Sequence, residues 1–350
     1  METKTDFDMI NFNVIIIGAG PAGCSVAAFL DGYRILLIDK SKLPREKPCG
    51  GILTEKCSKF INKFNLEHNV FMHPKISKVE YIDWDNNLKL EQRKNWWNVN
   101  RQNLDYFLFR ICRDKVLFSP ETKFLDFKQK DGGVKVLVEK QGKKYYLKTK
   151  YLVGADGAFS RVRKKISNRE IPYYYAVQEK LNTKINQDTT YFIYDSEITD
   201  HYCWVIPKGD YTVIGAAIKK GYSIEEKMDL LKRKVRDKLN ISGAKINSEG
   251  APGLKPASLE DIILGQGNVF LVGEAAGLIS PSSGEGVSYA LMSGEKCAEA
   301  IKRNPTDTLD EYKKLCDPII STLNEKIQKA NLLINPAKRI ELFNIVKSKV

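Results

Sequence analysis

The chain has little of the material from which metal centres and disulfide frameworks are built. It holds three histidines and seven cysteines among 350 residues. No two cysteines have the CxxC spacing and no HExxH stretch occurs, which argues against a zinc knuckle or an iron–sulfur cluster. Scattered cysteines in an odd number are typical of reduced thiols, so we expect no metal and a protein of the reducing cytoplasm.

An apolar run long enough to cross a membrane is also missing. The most apolar stretch, residues 14–30, is interrupted by Gly18, Gly20, Pro21 and Gly23. The N-terminal stretch METKTDFDMINFN is polar and acidic, unlike a secretory signal. These stretches therefore predict neither a membrane span nor a signal peptide.

Acidic residues are fewer than basic ones, 43 against 56, which gives a formal net charge of +13. This excess favours anionic partners, namely phosphates, nucleic acid, acidic proteins or anionic lipid, without choosing among them. The apolar fraction of 43% suffices for a sizeable core, in one large domain or two interleaved ones.

The first forty residues carry the pattern of a dinucleotide-binding βαβ unit. Residues 13–17 form a continuous aliphatic run, as expected of a strand buried on both faces. Gly18, Gly20 and Gly23 follow in the GxGxxG spacing, which permits a tight turn, close approach of a pyrophosphate and helix–strand contact. Asp39 follows Gly18 by 21 residues, the spacing of a carboxylate that binds a ribose hydroxyl. A second GxGxxG is absent, so we expect no separate nicotinamide-binding domain.

Two later segments, residues 151–165 and 267–301, also lead an apolar strand into glycines. The residues at these strand ends are Asp156, Gly157, Gly273 and Glu274, and the residues that open a long helix are Gly284, Gly286 and Val287. Together with the N-terminal unit, the two segments resemble the glutathione-reductase-type FAD fold, in the branch that includes p-hydroxybenzoate hydroxylase.

The resemblance implies an α/β protein, with a Rossmann-like FAD-binding domain assembled from discontinuous segments, an inserted antiparallel β-sheet substrate domain and C-terminal helices. The residues that it assigns to FAD are Gly18, Gly20, Pro21, Ala22, Gly23, Asp39, Lys40, Arg101, Asp156, Gly157, Gly273, Glu274, Gly284, Gly286 and Val287. The implied FAD-binding segments are 1–75, 100–168 and 256–303, the substrate segments 76–99 and 169–255, and the helical region 304–350.

Two of these assignments compete with a plainer interpretation. The family usually has Asp where this chain has Glu274, so a ribityl contact would need a shifted backbone or an intervening water, and the alternative is a surface-loop acid. Arg101 begins a stretch with helical spacing over 101–111. It resembles the family's cofactor-contacting arginine, and the alternative is a helix-end charge that faces water.

Strand-like stretches lie between the flavin segments. Residues 78–92 alternate around a turn at 85–87, and residues 134–150 predict a hairpin that turns at Gln141-Gly142. Residues 189–195 and 201–218 continue the pattern, which predicts an antiparallel sheet over the flavin.

Two short motifs bear on the substrate. Tyr202 and Trp204, two apart on a strand, point to one face and would form a flat apolar wall before Pro207; plain core packing is the alternative. The motif YCWVIP is similar to the YxWxFP of geranylgeranyl reductases and to the WxWxIP of flavin-dependent halogenases. KPCGG, with Cys49, Gly50 and Gly51, is similar to the Cys-Gly-Gly that those reductases place beside flavin and substrate. The alternative for Cys49 is a small apolar residue in a tight loop.

The resemblance therefore implies a reductase of prenyl carbon–carbon double bonds, with hydride from reduced FAD and a proton from flavin, water or Cys49. NAD(P)H or reduced ferredoxin would supply electrons, an acidic carrier would suit the charge, and no nucleic acid is expected. The alternatives are a monooxygenase or halogenase acting on an aromatic substrate, and a non-catalytic FAD-binding or electron-relay protein.

The C-terminal region predicts helices from Pro305 to Val350, with breaks at Pro318 and Pro336. Its last helix places Ile340, Phe343 and Val346 on one face, flanked by basic residues at 338, 339, 347 and 349. Such a helix rests on an anionic membrane surface or docks on the body of the protein.

Overall fold

The computed structural model describes residues 11–130, 132–183, 188–303 and 306–347. Most of the polar N-terminal stretch, together with Pro305 and Lys349, lies outside these ranges. The strands of the described part are β1 (Asn11–Ile17), β2 (Ile35–Ile38), β3 (Ile52–Leu53), β4 (Phe71–Asp83), β5 (Leu88–Val99), β6 (Val116–Ser119), β7 (Thr122–Lys130), β8 (Gly133–Lys140), β9 (Lys143–Gly154), β10 (Tyr173–Asn182), β11 (Thr189–Tyr194), β12 (Cys203–Pro207), β13 (Thr212–Lys219), β14 (Ala244–Leu254), β15 (Gly265–Gln266) and β16 (Val269–Leu271).

The α-helices of the same ranges separate these strands and close the chain. They are α1 (Pro21–Phe29), α2 (Glu55–Ile61), α3 (Arg101–Cys112), α4 (Arg161–Ile166), α5 (Ile224–Leu239), α6 (Val287–Arg303), α7 (Thr308–Leu333) and α8 (Pro336–Lys347).

The first sheet has a parallel centre, in the order β16-β9-β1-β2-β6. Strand β2 and the second half of β1 are continuous aliphatic runs because helices or loops cover both faces of the sheet there; Val14, Ile15 and Ile16 are fully buried. The carboxyl ends of β1, β2, β9 and β16 meet at one edge. This edge brings the three glycine-rich segments together, although they lie far apart in the sequence.

The second sheet runs in the order β14-β10-β13-β12-β11-β4-β5-β3. Its pairs are antiparallel except for β11 and β4, which are parallel. Helix α5 packs on it through Met228, Leu231 and Val235. The predicted α/β fold with two sheets and C-terminal helices is confirmed, while the domain boundaries stay a prediction.

Both predicted hairpins form, but one belongs to the other sheet. β4 and β5 flank the predicted turn, where Asn87 has φ of 50°. β8 and β9 flank Gln141-Gly142, whose positive φ values of 50° and 74° suit a tight two-residue turn. The expectation that this second hairpin belongs to the antiparallel sheet is wrong, because β9 continues as a parallel strand of the first sheet.

The C-terminal helices depart from the sequence pattern at one proline. Helix α7 runs through Pro318 without a break, so the predicted break there is wrong. The flanking Cys316 and Ile319 are buried in the main core, and this packing keeps the helix continuous. Pro336 does begin a new helix, α8, as predicted.

Helix α8 is docked on the protein body. Phe343 is buried against Tyr194 at a ring-centroid distance of 6.3 Å. Arg339 does not flank the helix in water; it is buried and bonds to Asp83 and Asp85. Ile340, expected on the apolar face, is exposed. In the described residues, every helix is too short or too polar to traverse a bilayer.

Candidate functional site

The turn between β1 and α1 is shaped by glycines. Gly18 has φ of 109°, and a side chain there would strike the backbone of Ala155. A side chain at Gly23 would strike the carbonyl of Gly18. A Cβ on Gly20, by contrast, would have Arg45 Nη2 as its nearest neighbour, at 3.9 Å, so the space in front of α1 is open. Pro21 and Ala22 are buried in the first turn of the helix, whose free N–H groups face this space.

Asp39 lies directly after β2 and stabilises the same turn through hydrogen bonds. Its Oδ2 accepts the N–H of Ala19 at 2.8 Å, and its Oδ1 accepts the N–H of Ser41 at 2.9 Å. Arg45 Nη1 lies 2.6 Å from Asp39 Oδ2. Sequence reasoning missed Arg45, since it stands outside any motif. Lys40 is exposed beside this cluster.

Asp156 follows β9 and faces the same edge of the sheet. Its Oδ2 accepts the N–H of Arg161 at 2.7 Å and so caps α4. Its Oδ1 is buried and has no hydrogen-bond partner in the described chain. Burial raises the pKa of this carboxyl group. Gly157 has φ of 77° with open space at its Cβ position.

Glu274 does not lie on a surface loop, so that alternative is wrong. Its Oε1 accepts the N–H of Leu254 at 2.9 Å, which links the first sheet's edge to β14. Burial raises the pKa of Glu274, although Lys47 and Arg163 oppose the shift. Gly273 has φ of 59° and donates its N–H to Ser293 at 2.9 Å.

Arg101 is only 7% exposed, so the interpretation as a water-facing helix end is wrong. Its guanidinium bonds to Asp105 at 2.9, 3.1 and 3.2 Å. Contact with a cofactor stays a prediction for this residue.

Cys49 is exposed, whereas the other six cysteines are buried. Gly51 donates its N–H to Cys49 Sγ at 3.4 Å, has φ of 67°, and could not carry a Cβ without striking Val99 O. A Cβ on Gly50 would lie 2.7 Å from Ile206 Cδ1. The double glycine therefore lets this loop lie directly on the strands of the second sheet. Desolvation would raise the pKa of the Cys49 thiol, but Arg101, the Gly51 N–H and Lys208 together lower it.

Lys208 is a second residue that sequence reasoning missed. It follows β12, is only 5% exposed, and donates to Asn98 Oδ1 at 2.5 Å and to Val99 O at 3.2 Å. Pro207, which precedes it, is buried and accepts from Asn98 Nδ2 at 2.8 Å. Desolvation lowers the pKa of Lys208 to about 7.

Trp204 lies on β12, which we call the aromatic strand, and Tyr202 directly precedes it; the two rings do not form a flat wall. Their ring planes meet at 62° with centroids 5.9 Å apart, an edge-to-face arrangement. Trp204 is buried and donates its indole N–H to Gln178 at 3.2 Å. Gly215 on β13 leaves room for the indole, since a Cβ there would lie 2.6 Å from its nitrogen.

The start of α6 adjoins these aromatic rings. A Cβ on Gly284, where φ is 62°, would lie 2.9 Å from the Tyr174 hydroxyl and 3.1 Å from the Tyr202 hydroxyl. Gly286 and Val287 are half-buried at the helix start. The structure therefore brings the Cys49 loop, the aromatic strand and the α6 N-terminus to one place.

The residues at the sheet edge fit a flavin dinucleotide. The open space before Gly20, a helix N-terminus and a bracing carboxylate suit the diphosphate and ribose. The unpartnered Oδ1 of Asp156 is an acceptor that a ribityl hydroxyl can satisfy.

Comparisons with known proteins agree with this fit. The protein CbrA of Escherichia coli O9:H4 (strain HS) is 32% identical over 341 residues, 95% of this chain and 92% of that protein. A geranylgeranyl bacteriochlorophyll reductase-like protein from Thermoplasma acidophilum has a TM-score of 0.83 at 19% identity, covering 96% of this chain and 91% of that one. The p-nitrophenol 4-monooxygenase PnpA from Pseudomonas putida has a TM-score of 0.76 at 17% identity, covering 96% and 93%.

At such low identities the two solved structures show the fold alone, and their names refer to different activities. The profile of the FAD binding domain family matches residues 11–326, nearly all of the described chain. The chain therefore belongs to the FAD binding domain family of flavin-dependent oxidoreductases.

Proposed function

We propose that the protein reduces carbon–carbon double bonds of a prenyl chain, in an isoprenoid lipid of the geranylgeranyl type. The observation that carries this proposal is the Cys49-Gly50-Gly51 loop, laid on Ile206 beside the aromatic strand and the α6 N-terminus. The likeness in fold to a geranylgeranyl bacteriochlorophyll reductase-like protein supports it.

FAD, once bound and reduced, supplies the hydride for such a reaction. The chain's own residues then have three tasks. The glycine turn, Asp39 and Asp156 hold the cofactor. The positive end of the α6 helix dipole, at its N-terminus, stabilises negative charge on the cofactor. The half-buried Tyr202, packed against the buried Trp204, offers apolar surface to a hydrocarbon substrate. Isolated alkenes accept hydride poorly, so alignment and exclusion of water matter most.

The experiment uses purified protein with its FAD, reduced in the absence of oxygen. Addition of a geranylgeranylated lipid should reoxidise the flavin and raise the lipid mass by two hydrogens per reduced bond. If the flavin stays reduced and the lipid mass is unchanged, the proposal fails. A flavin that is never reoxidised by any small substrate would instead favour a non-catalytic electron-relay protein.

A second candidate is oxygen-dependent hydroxylation or halogenation of an aromatic substrate. The edge-to-face packing of Tyr202 and Trp204 favours it, because a tilted aromatic surface suits a compact ring better than an extended chain. The p-nitrophenol 4-monooxygenase neighbour supports it. Fast oxygen consumption by the reduced protein, coupled to a hydroxylated or halogenated aromatic product, would replace the first proposal with this one.

We further propose that NAD(P)H or a reduced acidic ferredoxin supplies the electrons. Peripheral contact with a membrane is also a proposal, and it would bring a lipid substrate close to the Cys49 loop. Because Phe343 and Arg339 are buried, α8 would contribute only its outer residues to such contact.

A further inference from the structure

His201 is a buried histidine to which neither the cofactor site nor the proposed reaction has assigned a role. It lies just before β12, is 7% exposed, and its ring packs against Tyr174 and Tyr202 at centroid distances of 4.9 and 4.6 Å. Its backbone N–H donates to Thr199 Oγ1 at 3.1 Å. These contacts hold the ring in place, so the surroundings of each ring nitrogen are defined.

One ring nitrogen of His201, Nε2, reaches the loop that leads into α6. It lies 2.9 Å from the carbonyl oxygen of Pro281, which can only accept, so Nε2 carries the proton and donates. The adjacent Tyr202 hydroxyl donates to Ser283 O in the same loop, at 2.5 Å. Two consecutive side chains therefore hold two carbonyl groups of this loop, directly before Gly284.

The other ring nitrogen, Nδ1, is buried and has no hydrogen-bond partner in the described chain. With the proton on Nε2, a neutral ring presents a lone pair at Nδ1, which needs a donor. A cavity of about 10 Å³ is lined by the ring together with Asp200, Lys255 and Ser282, among others. This volume is enough for one water molecule, which can donate to Nδ1.

The charged groups around the ring favour its neutral form. Burial lowers the pKa of His201 to about 3, and Lys255 lowers it further, whereas the Pro281 carbonyl and Asp200 oppose the shift. The remaining titratable groups beside the ring or the cavity are tyrosines, whose pKa values burial raises: Tyr174, Tyr194 and Tyr202. The imidazole is therefore a neutral donor at physiological pH.

We propose that His201 is a positioning residue for the flavin: as a neutral imidazole with one water molecule on Nδ1, it holds residues 281–286 and so fixes the N-terminus of α6 relative to the cofactor. Without this donor, the Pro281 carbonyl would be a buried acceptor without a partner, and the loop would shift to satisfy it. The positive end of the α6 dipole would then stabilise the reduced, anionic flavin less. The inference rests on the assignment of Gly284, Gly286 and Val287 to FAD and on no particular substrate.

The test compares three substitutions of His201 in the full chain. The amide nitrogen of His201→Gln can take the place of Nε2, that of His201→Asn reaches only as far as Nδ1, and His201→Leu has no donor. His201→Leu and His201→Asn should weaken FAD binding by about tenfold in a fluorescence titration and make the reduction potential of the bound flavin more negative. His201→Gln should keep both near the native values. In the FAD-free chain, hydrogen exchange of the amides in 282–287 should be faster in the first two variants and native in His201→Gln.

Thr212→Val is the matched control, because it also removes a side-chain hydrogen bond of a buried residue to a carbonyl oxygen, that of Thr183 at 2.9 Å. Thr212 begins β13, whose other end lies beside Tyr202. This control should lower stability and leave the FAD affinity and the potential unchanged.

Native affinity and potential in His201→Leu would overturn the proposal. If His201→Leu does not fold, the two amide variants decide, since equal behaviour of His201→Gln and His201→Asn would refute a role for the Nε2 donor. Nitrogen NMR of the labelled ring should show the neutral form protonated at Nε2 down to about pH 5, below the range in which histidine ordinarily titrates. A charged ring at neutral pH would also refute the proposal.

Discussion

At the scale of single residues, the clearest evidence for a ligand is one buried oxygen atom without a hydrogen-bond partner in the described chain. Asp156 uses its Oδ2 to cap α4 and leaves Oδ1 buried without a partner in the described chain. Buried acceptors in folded proteins are almost always satisfied. A hydroxyl group of the cofactor can donate a hydrogen bond to Asp156 Oδ1, and this bond should strengthen the binding of FAD.

Asp156→Ala should therefore weaken FAD binding by about tenfold, measured as the dissociation constant in a flavin fluorescence titration. The substitution also removes the cap of α4, so a control must separate the two effects. Ser223→Ala removes the side-chain cap of another helix, α5, the bond from the Glu226 N–H at 3.3 Å, and does not involve the Asp156 carboxyl group. It should lower stability and leave the FAD affinity intact. An equal loss of affinity in both variants would contradict the assignment of Asp156 to the cofactor.

Residues in continuous motifs could be predicted from the sequence, and residues brought in from elsewhere could not. The glycine turn and Cys49-Gly50-Gly51 stood out because short spacings encode their backbone geometry. Arg45 and Lys208 were missed because their roles depend on partners in other elements; Lys208 meets Gly51 across 157 positions. A lone basic residue after a strand carries no local signal that it will be buried.

At the scale of elements, one buried ion-pair cluster fixes the last helix. Arg339 on α8 bonds to Asp83 at 2.9 and 3.2 Å and also contacts Asp85, at the turn between β4 and β5. Asp83 is fully buried. The periodicity of α8 predicted an amphipathic helix, but it could not show that a basic residue on it would be buried, since Asp83 lies 256 positions away.

Arg339→Met should lower the free energy of unfolding by about 3–5 kcal/mol, because it leaves the Asp83 carboxylate buried without a counterion. Urea denaturation followed by circular dichroism measures the effect. Adding Asp83→Asn should recover part of the loss. Arg236→Met, which breaks an exposed pair with Asp237, is the control and should change stability by less than about 1 kcal/mol. A loss as small as that of the control would show that the cluster does not hold α8.

At the scale of the whole molecule, the net charge of +13 belongs to the surface rather than to the cofactor site. Arg101 and Lys208 are buried near the site, and most of the other basic side chains remain on the surface for long-range attraction. Such a field raises the encounter rate with an acidic protein and is screened by salt.

If an acidic ferredoxin is the electron donor, its rate of flavin reduction should fall steeply with ionic strength. We expect a decrease on the order of tenfold between low salt and about 0.3 M salt, because the screening length shortens to a few ångströms over that range. Stopped-flow absorbance of the flavin measures the rate. Reduction by dithionite is the control for salt effects on the flavin itself and should change little. A rate of reduction by ferredoxin that does not depend on salt would contradict electrostatic docking of this donor. Faster, saturable reduction of the flavin by NAD(P)H would identify the nicotinamide as the donor.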